Sequence, residues 1–409
     1  MNNASQRPSA HAHHHRTASL LRVRDGHEAR VSFVELFFDL IYVFAVTQLS
    51  HNLLEKLTPE GALQTLVLWF AVWLAWQYTA WVTNWFDPEA LPIRTMLFGI
   101  MLVGLVMAAA LPQAFGERGL VFAVTYAAIQ VGRTAIVLAS LARGHALAPN
   151  FRRMLGWLSI SAVLWLAGGL LPQYRLGLWI AAVACEYVSP MTGFWLPGLG
   201  RSRTDDWTIE GGHLAERCQL FVIVALGETL LMTGATLAHA HDWETPVLIA
   251  FVVTFLGAVA MWWMYFDTSS KDGSEAIVES DDPGRIGAWF HYVHVVIVAG
   301  VILSAVGNEL VIAHPDQRID ALHAAVLILG PALYVLGNGV YKQIVYRRFP
   351  LSHVAGLVLL AALAPLSFLT DLLMVSGLST AVLVLVAGWE ACSRRAVHIA
   401  YLDEHAADF

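Results

Sequence analysis

Nine ionisable side chains set in stretches of sequence that are otherwise apolar are the candidates for chemistry. They are Glu35, Asp39, Arg133, Glu186, Glu216, Glu228 and Glu390, with Glu309 and Asp371 nearer the ends of their stretches. A charge at mid-bilayer costs about 2.5–3.5 kcal/mol on insertion scales, so such a group faces protein or a water-filled cavity. Glu35 and Asp39 lie four residues apart in "VSFVELFFDLIYVFAVTQLSH". At about 100° per residue, they share a face with Tyr42, Val46 and Ser50. Asp39 is about 10 Å in from the start of its stretch, and Arg133, on a stretch running the other way, is about 13 Å from the same face. The depths predict an Asp39–Arg133 ion pair, with Glu35 left free to titrate at the entrance. Glu228, in "VALGETLL", falls near mid-membrane with no cation at matched depth, which suits a proton-coupled site; Gly227 beside it is expected to let another helix approach. His291 and His294 are read as interfacial, and Trp69, Trp73, Trp76, Trp81 and Trp85 as lipid-facing or core. The "HAHHH" tract at 11–15 is assigned no role.

The elements that must position these groups are transmembrane helices. The chain of 409 residues is 57% hydrophobic and only 13% charged, against roughly 25% charge in soluble domains. It breaks into apolar runs near the length that spans a bilayer. Twelve spans are predicted, at 32–54, 62–85, 95–112, 119–142, 154–171, 176–196, 214–237, 246–266, 288–312, 321–342, 352–373 and 378–397. Prolines such as Pro88, Pro92, Pro149, Pro197 and Pro246 separate them, while Pro190, Pro331 and Pro365 fall inside. The fold class is therefore all-α and polytopic. Of 24 Lys and Arg residues, 18 fall in the N-terminus, the even-numbered loops and the C-terminus, and 4 in the odd-numbered loops. That asymmetry predicts an inner-membrane protein with both termini cytoplasmic. Cys185, Cys218 and Cys392 have no paired spacing and are read as free thiols.

Two landmarks suggest a duplication. Trp85-Phe86-Asp87 is echoed by Tyr265-Phe266-Asp267 at an offset of 180, and Glu35 by Glu216 at 181; "ACE" ending at Glu186 is echoed by "GWE" ending at Glu390. The predicted layout is a disordered tail over 1–30, six-helix halves over 31–200 and 201–400, and a short tail over 401–409. Halves of even helix number would be parallel repeats about an axis along the membrane normal. No nucleotide loop, nucleophile elbow, zinc frame or nucleic-acid module is found, so no catalytic residue, cofactor or metal is expected. The expected partners are the lipid bilayer and a small solute or ion, and no nucleic acid.

Three segments, "VSFVELFFDLIYVFAVTQLSH" (31–51), "ERCQLFVIVALGETLL" (216–231) and "GAWFHYVHVVIVAGVILSAVGNEL" (287–310), resemble the bacterial low temperature requirement protein A (LtrA) family, over about residues 28–400. The resemblance implies an integral membrane protein and carries over Glu35, Asp39, Gln48, Glu216, Glu228, His294 and Glu309. A weaker likeness links "FFDLIYVFAVT" (37–47) to potassium channels with a Phe-Ser-Asp signature in the first helix; here Phe38 stands where the Ser would be, and Leu220 replaces the acid in the second half. The leading functional expectation is a small-solute or ion permease, with Glu35, Asp39, Arg133, Glu186, Glu216, Glu228, His294 and Glu309 as the candidate transport or ion-site residues. The rivals are a cation channel and a membrane scaffold without transport.

Overall fold

The computed structural model describes residues 20–22, 24, 29–142, 144–207, 209–240, 242–267 and 283–405, the side chains of 205, 283 and 394–405 excepted. The His-rich tract at 11–15 lies outside them. Twelve α-helices run through the described residues: α1 Phe33–Glu55, α2 Pro59–Trp85, α3 Leu91–Ala110, α4 Gly119–Ser140, α5 Ala148–Leu170, α6 Arg175–Met191, α7 Gly211–His239, α8 Thr245–Trp262, α9 Pro283–Ala313, α10 Ala321–Tyr346, α11 Leu351–Ser367 and α12 Leu372–His405. Ten helical stretches are long and apolar enough to cross a membrane; α6 and α11, of 17 residues each, are shorter. The chain is a polytopic all-α membrane protein.

Helix starts fall earlier than the apolar runs suggest where a proline sits in the first turn. Pro92, Pro149 and Pro246, read from sequence as breakers between spans, occupy the first two positions of α3, α5 and α8. There a missing N–H costs nothing and the fixed φ suits the helix. Thr58 caps α2 by accepting the Gly61 amide at 3.0 Å, and Asp320 caps α10 by accepting the amides of Leu322 and His323 at 2.9 Å each. α8 runs on into a π-helical turn over Trp263–Asp267.

The packing runs in two parallel series. α1 lies on α2 and α3, α3 on α4, α4 on α5, and α5 on α6; α7 lies on α8 and α9, α9 on α10, α10 on α11, and α11 on α12. α1 and α2 then meet α7 and α9 between the series. α2 is the most enclosed helix: Trp69, Trp73, Trp76 and Trp85 are buried, so these tryptophans are core rather than lipid-facing. α9 and α10 approach backbone to backbone. A Cβ on Gly300 would stand 2.5 Å from Tyr334 N, and one on Gly330 2.8 Å from Ser304 N, so only glycine fits at either site. A Cβ on Gly227 would meet nothing within 4 Å; that glycine does not mediate a helix contact, contrary to the sequence expectation. Large apolar side chains such as Leu102, Leu231, Val358 and Leu385 stand exposed on the outside of the bundle, where hydrocarbon is the matching solvent.

Candidate functional site

The polar face of α1 lies along α7, and the pairing of Glu35 with His213 and of Asp39 with Arg217 shows that the two helices run in one direction. Their first turns are tied reciprocally. Glu35 of α1 accepts from His213 Nε2 of α7 at 2.9 Å, and Glu216 of α7 accepts the Val31 amide, just before α1, at 3.0 Å. Glu35 also accepts from Ser32 N and Ser32 Oγ, both at 2.9 Å, and from Arg22 Nη2 at 3.0 Å. Asn84 Nδ2 lies 3.2 Å from His213 Nδ1. With Asn84 donating there, the imidazole proton is on Nε2, aimed at Glu35. Glu35 is fully buried, which corrects the expectation of a carboxylate free to titrate at the entrance. The sequence argument gave it no partner because Arg22 lay in a polar tail. In the structure Arg22 is docked on the end of α2, with its amide donating to Trp85 O at 2.9 Å and its Nε to Thr83 O at 2.6 Å.

One turn deeper, Asp39 Oδ1 accepts from Arg217 Nη2 and from Trp76 Nε1, each at 2.7 Å. The Arg217 guanidinium also sits 5.9 Å over the Phe38 ring and 5.7 Å over the Trp76 ring, within cation–π range. The predicted Asp39–Arg133 pair is thereby overturned. Arg133 instead donates to Thr79 Oγ1 at 3.0 Å, Ala75 O at 3.2 Å and Gln130 Oε1 at 2.5 Å. The reason is lateral: α4 is separated from α1 by α3, whereas α7 lies against α1. Asp39 and Arg217 are each six residues into their helices, about 9 Å at 1.5 Å per residue.

Arg133 belongs to a second buried network centred on Glu186. That carboxylate gathers Tyr126 and Gln130 of α4, Ser161 and Trp165 of α5, with Trp165 Nε1 at 2.9 Å and Gln130 Nε2 at 3.3 Å. In α12, Glu390 plays a similar part: Lys342 of α10 donates to it at 2.6 Å and Ser352 of α11 also bonds it. His294 is fully buried rather than interfacial; its Nδ1 lies 2.6 Å from Phe290 O and its Nε2 2.7 Å from Tyr265 Oη. His291 is likewise buried, 3.2 Å from Trp81 Nε1. The two rings have separate partners. Asp371 caps α12, accepting the Met374 amide at 2.8 Å.

At the opposite end of the seam, α1, α7, α8 and α9 part around a cavity of about 740 Å³. His51, His239, Asp242 and Glu309 bring polar groups to its wall. Glu228, on α7, is 4% exposed. Oε2 of Glu309 is buried with no hydrogen-bond partner.

Of the sequence-predicted residues, the structure places Glu35, Asp39, Glu216, Glu228 and Glu309 along the seam, puts Arg133 and Glu186 in the α4–α6 network, and sets His294 between α8 and α9. Sequence reasoning missed Arg22, Trp76, His213, Arg217 and His51. Only Arg217 carried a usable signal, its depth matched to that of Asp39.

The chain matches the bacterial low temperature requirement A protein (LtrA) family over residues 30–388. It is 39% identical over 374 residues to an uncharacterized protein of Rhizobium meliloti (strain 1021), a match covering 90% of this chain and 91% of that protein. No solved structure matches it. A family match across nearly the whole membrane domain, supported by a relative this similar, settles the kinship: the chain is a member of the bacterial low temperature requirement A family.

Proposed function

We propose that this protein is an inner-membrane permease for a small solute or ion, working by rocking of two six-helix halves, residues 31–200 and 201–400, against each other. The observation that carries the reading is the seam between α1 and α7. It is bonded shut by polar groups near the starts of both helices and parted around a cavity of about 740 Å³ at their far ends. A carrier resting with one gate closed has this form. The matched order of helix contacts in the two series, and the reciprocal Glu35–His213 and Glu216–Val31 ties, support parallel repeats about an axis along the membrane normal. The Lys/Arg asymmetry supports cytoplasmic termini, and with them a bonded seam end toward the cytoplasm and a cavity toward the periplasm. Reporter fusions after residues 150, 205 and 345 then read cytoplasm, and fusions near 116, 174 and 241 read periplasm. The channel alternative loses its anchor, because Asp39 is engaged by Arg217 and Trp76 instead of lining an open path.

Flux into proteoliposomes with a panel of ions and solutes, with and without a pH gradient, tests the reading. Saturable uptake of one class supports it. Unsaturable conductance identifies a channel, and no flux of any kind removes the transport reading in favour of a scaffold.

A further inference from the structure

Leu20, Leu21 and Arg22 lie outside the helices, yet they are bonded to the exit of α2. Leu21 forms an antiparallel bridge with Phe86. Arg22 N donates to Trp85 O and Asp87 N donates to Leu20 O, each at 2.9 Å. Arg22 Nε donates to Thr83 O at 2.6 Å. Thr83 and Trp85 are in the last turn of α2, where carbonyls find no donor within the helix. The segment therefore caps α2, with Leu20 and Leu21 partly buried against the core.

From that seat the guanidinium reaches the seam. Arg22 Nη2 donates to Glu35 Oε2 of α1 at 3.0 Å and lies 3.1 Å from His213 Nε2 of α7, so two donors converge on one carboxylate. Three residues thus join α1 and α2, of the first series, to the start of α7, in the second.

These ties can be undone without stranding their partners. When Arg22 leaves, Glu35 keeps the Ser32 amide, the Ser32 hydroxyl and His213 Nε2 as donors, each at 2.9 Å. The Arg22 side chain is 13% exposed, at the rim of the seam, whereas those of Arg217 and Asp39 are 1% exposed. A short segment at the rim, whose partners stay satisfied, opens locally before the core does.

We infer that Leu20–Arg22 is an autoinhibitory latch on the bonded end of the seam. Docked, it holds the end of α2 and the starts of α1 and α7 together. Withdrawn, it leaves the deeper Asp39–Arg217 pair to hold the seam and lets this end part more often. That a parted seam passes solute rests on the permease reading; the latch itself does not.

The test is amide hydrogen exchange on the full chain in lipid, read by mass spectrometry over residues 37–42 and 216–221, with uptake measured on the same protein in proteoliposomes. Arg22→Gln speeds exchange in both stretches by about tenfold, the scale set by losing a charge-assisted hydrogen bond. Exchange around Tyr334 of α10 stays as in the parent, and solute uptake rises. Arg22→Lys keeps a charge for Glu35 but loses the fork that also reaches Thr83 O, and falls between the two. Where Arg22→Gln does not fold, Arg22→Lys carries the test in the same direction. Unaltered exchange along the seam, exchange equally faster around Tyr334, or lower uptake overturns the inference, the last two being the marks of a mere structural anchor. The two readings fail separately. Faster seam exchange with no flux in the panel leaves the latch and removes the permease, whereas saturable uptake with unaltered seam exchange leaves the permease and removes the latch.

Discussion

The two ends of the α1–α7 seam use the same acids differently. At one end Glu35 and Asp39 are clasped by Arg22, His213, Arg217 and Trp76, with every principal contact at 3.0 Å or less. At the other, Glu228 is buried and Glu309 stands with His51 on the wall of a cavity, and neither acid makes an ion pair among the described residues. Removing one member of a buried ion pair strands its partner's charge in a medium that cannot solvate it. Removing an acid that has no fixed counter-charge strands nothing. The first end is therefore a clasp whose cost of opening is large, and the second carries no comparable cost.

The largest expected effect falls on the deeper clasp. Asp39→Asn or Arg217→Gln alone lowers stability by about 3–5 kcal/mol, read as thermal unfolding in detergent; a loss under 1 kcal/mol would make the clasp ornamental. Next comes Glu35→Gln, which deprives Arg22 and His213 of a charged acceptor at a cost of about 1.5–3 kcal/mol. It also loosens the docked segment around Leu20 and Arg22, read as faster proteolysis there. The Asp320 cap supplies a calibration outside the membrane. Asp320→Ala costs about 1 kcal/mol. The His323 amide donating to Asp320 holds that carboxyl below its ordinary range. The cap's contribution is therefore present above the ordinary aspartate pKa and lost as pH falls through the lowered folded value. A difference in melting temperature that persists in full below that value would contradict the assignment. The smallest effect belongs to Glu309→Gln, expected within about 0.5 kcal/mol, because its removal orphans no cation. A loss as large as that for Asp39 would erase the contrast between the ends.

Much of this was legible in the sequence. The twelve helices follow from apolar runs and their breakers, and the burial of Asp39 follows from its place on the stripe through Glu35 and Tyr42. Depth along each helix could be read as well, since it is only residue count times rise. What could not be read was lateral adjacency. Asp39 was matched to Arg133 because both lie at one depth, yet Arg217 lies at that depth too, on the helix that touches α1. Arg22 was hidden in a polar segment with no apolar pattern, although its guanidinium reaches Glu35 by docking on the end of α2. The cavity at the far end of the seam is walled by residues of α1, α7, α8 and α9 whose approach has no local signature, and the glycine expected to help, Gly227, faces open space while Gly300 and Gly330 bring α9 and α10 together.

The central claim, that the seam is held at one end by a specific charge pair between the two series of helices, is tested most directly by a double-mutant cycle. Asp39→Asn and Arg217→Gln are measured singly and together by unfolding in detergent, beside the same cycle with Arg133→Gln. The account predicts a coupling of about 2–3 kcal/mol for Asp39 with Arg217, much of the loss being recovered in the double variant, and a coupling within about 0.5 kcal/mol for Asp39 with Arg133. Additive losses for Asp39 and Arg217, or a larger coupling to Arg133, would contradict it.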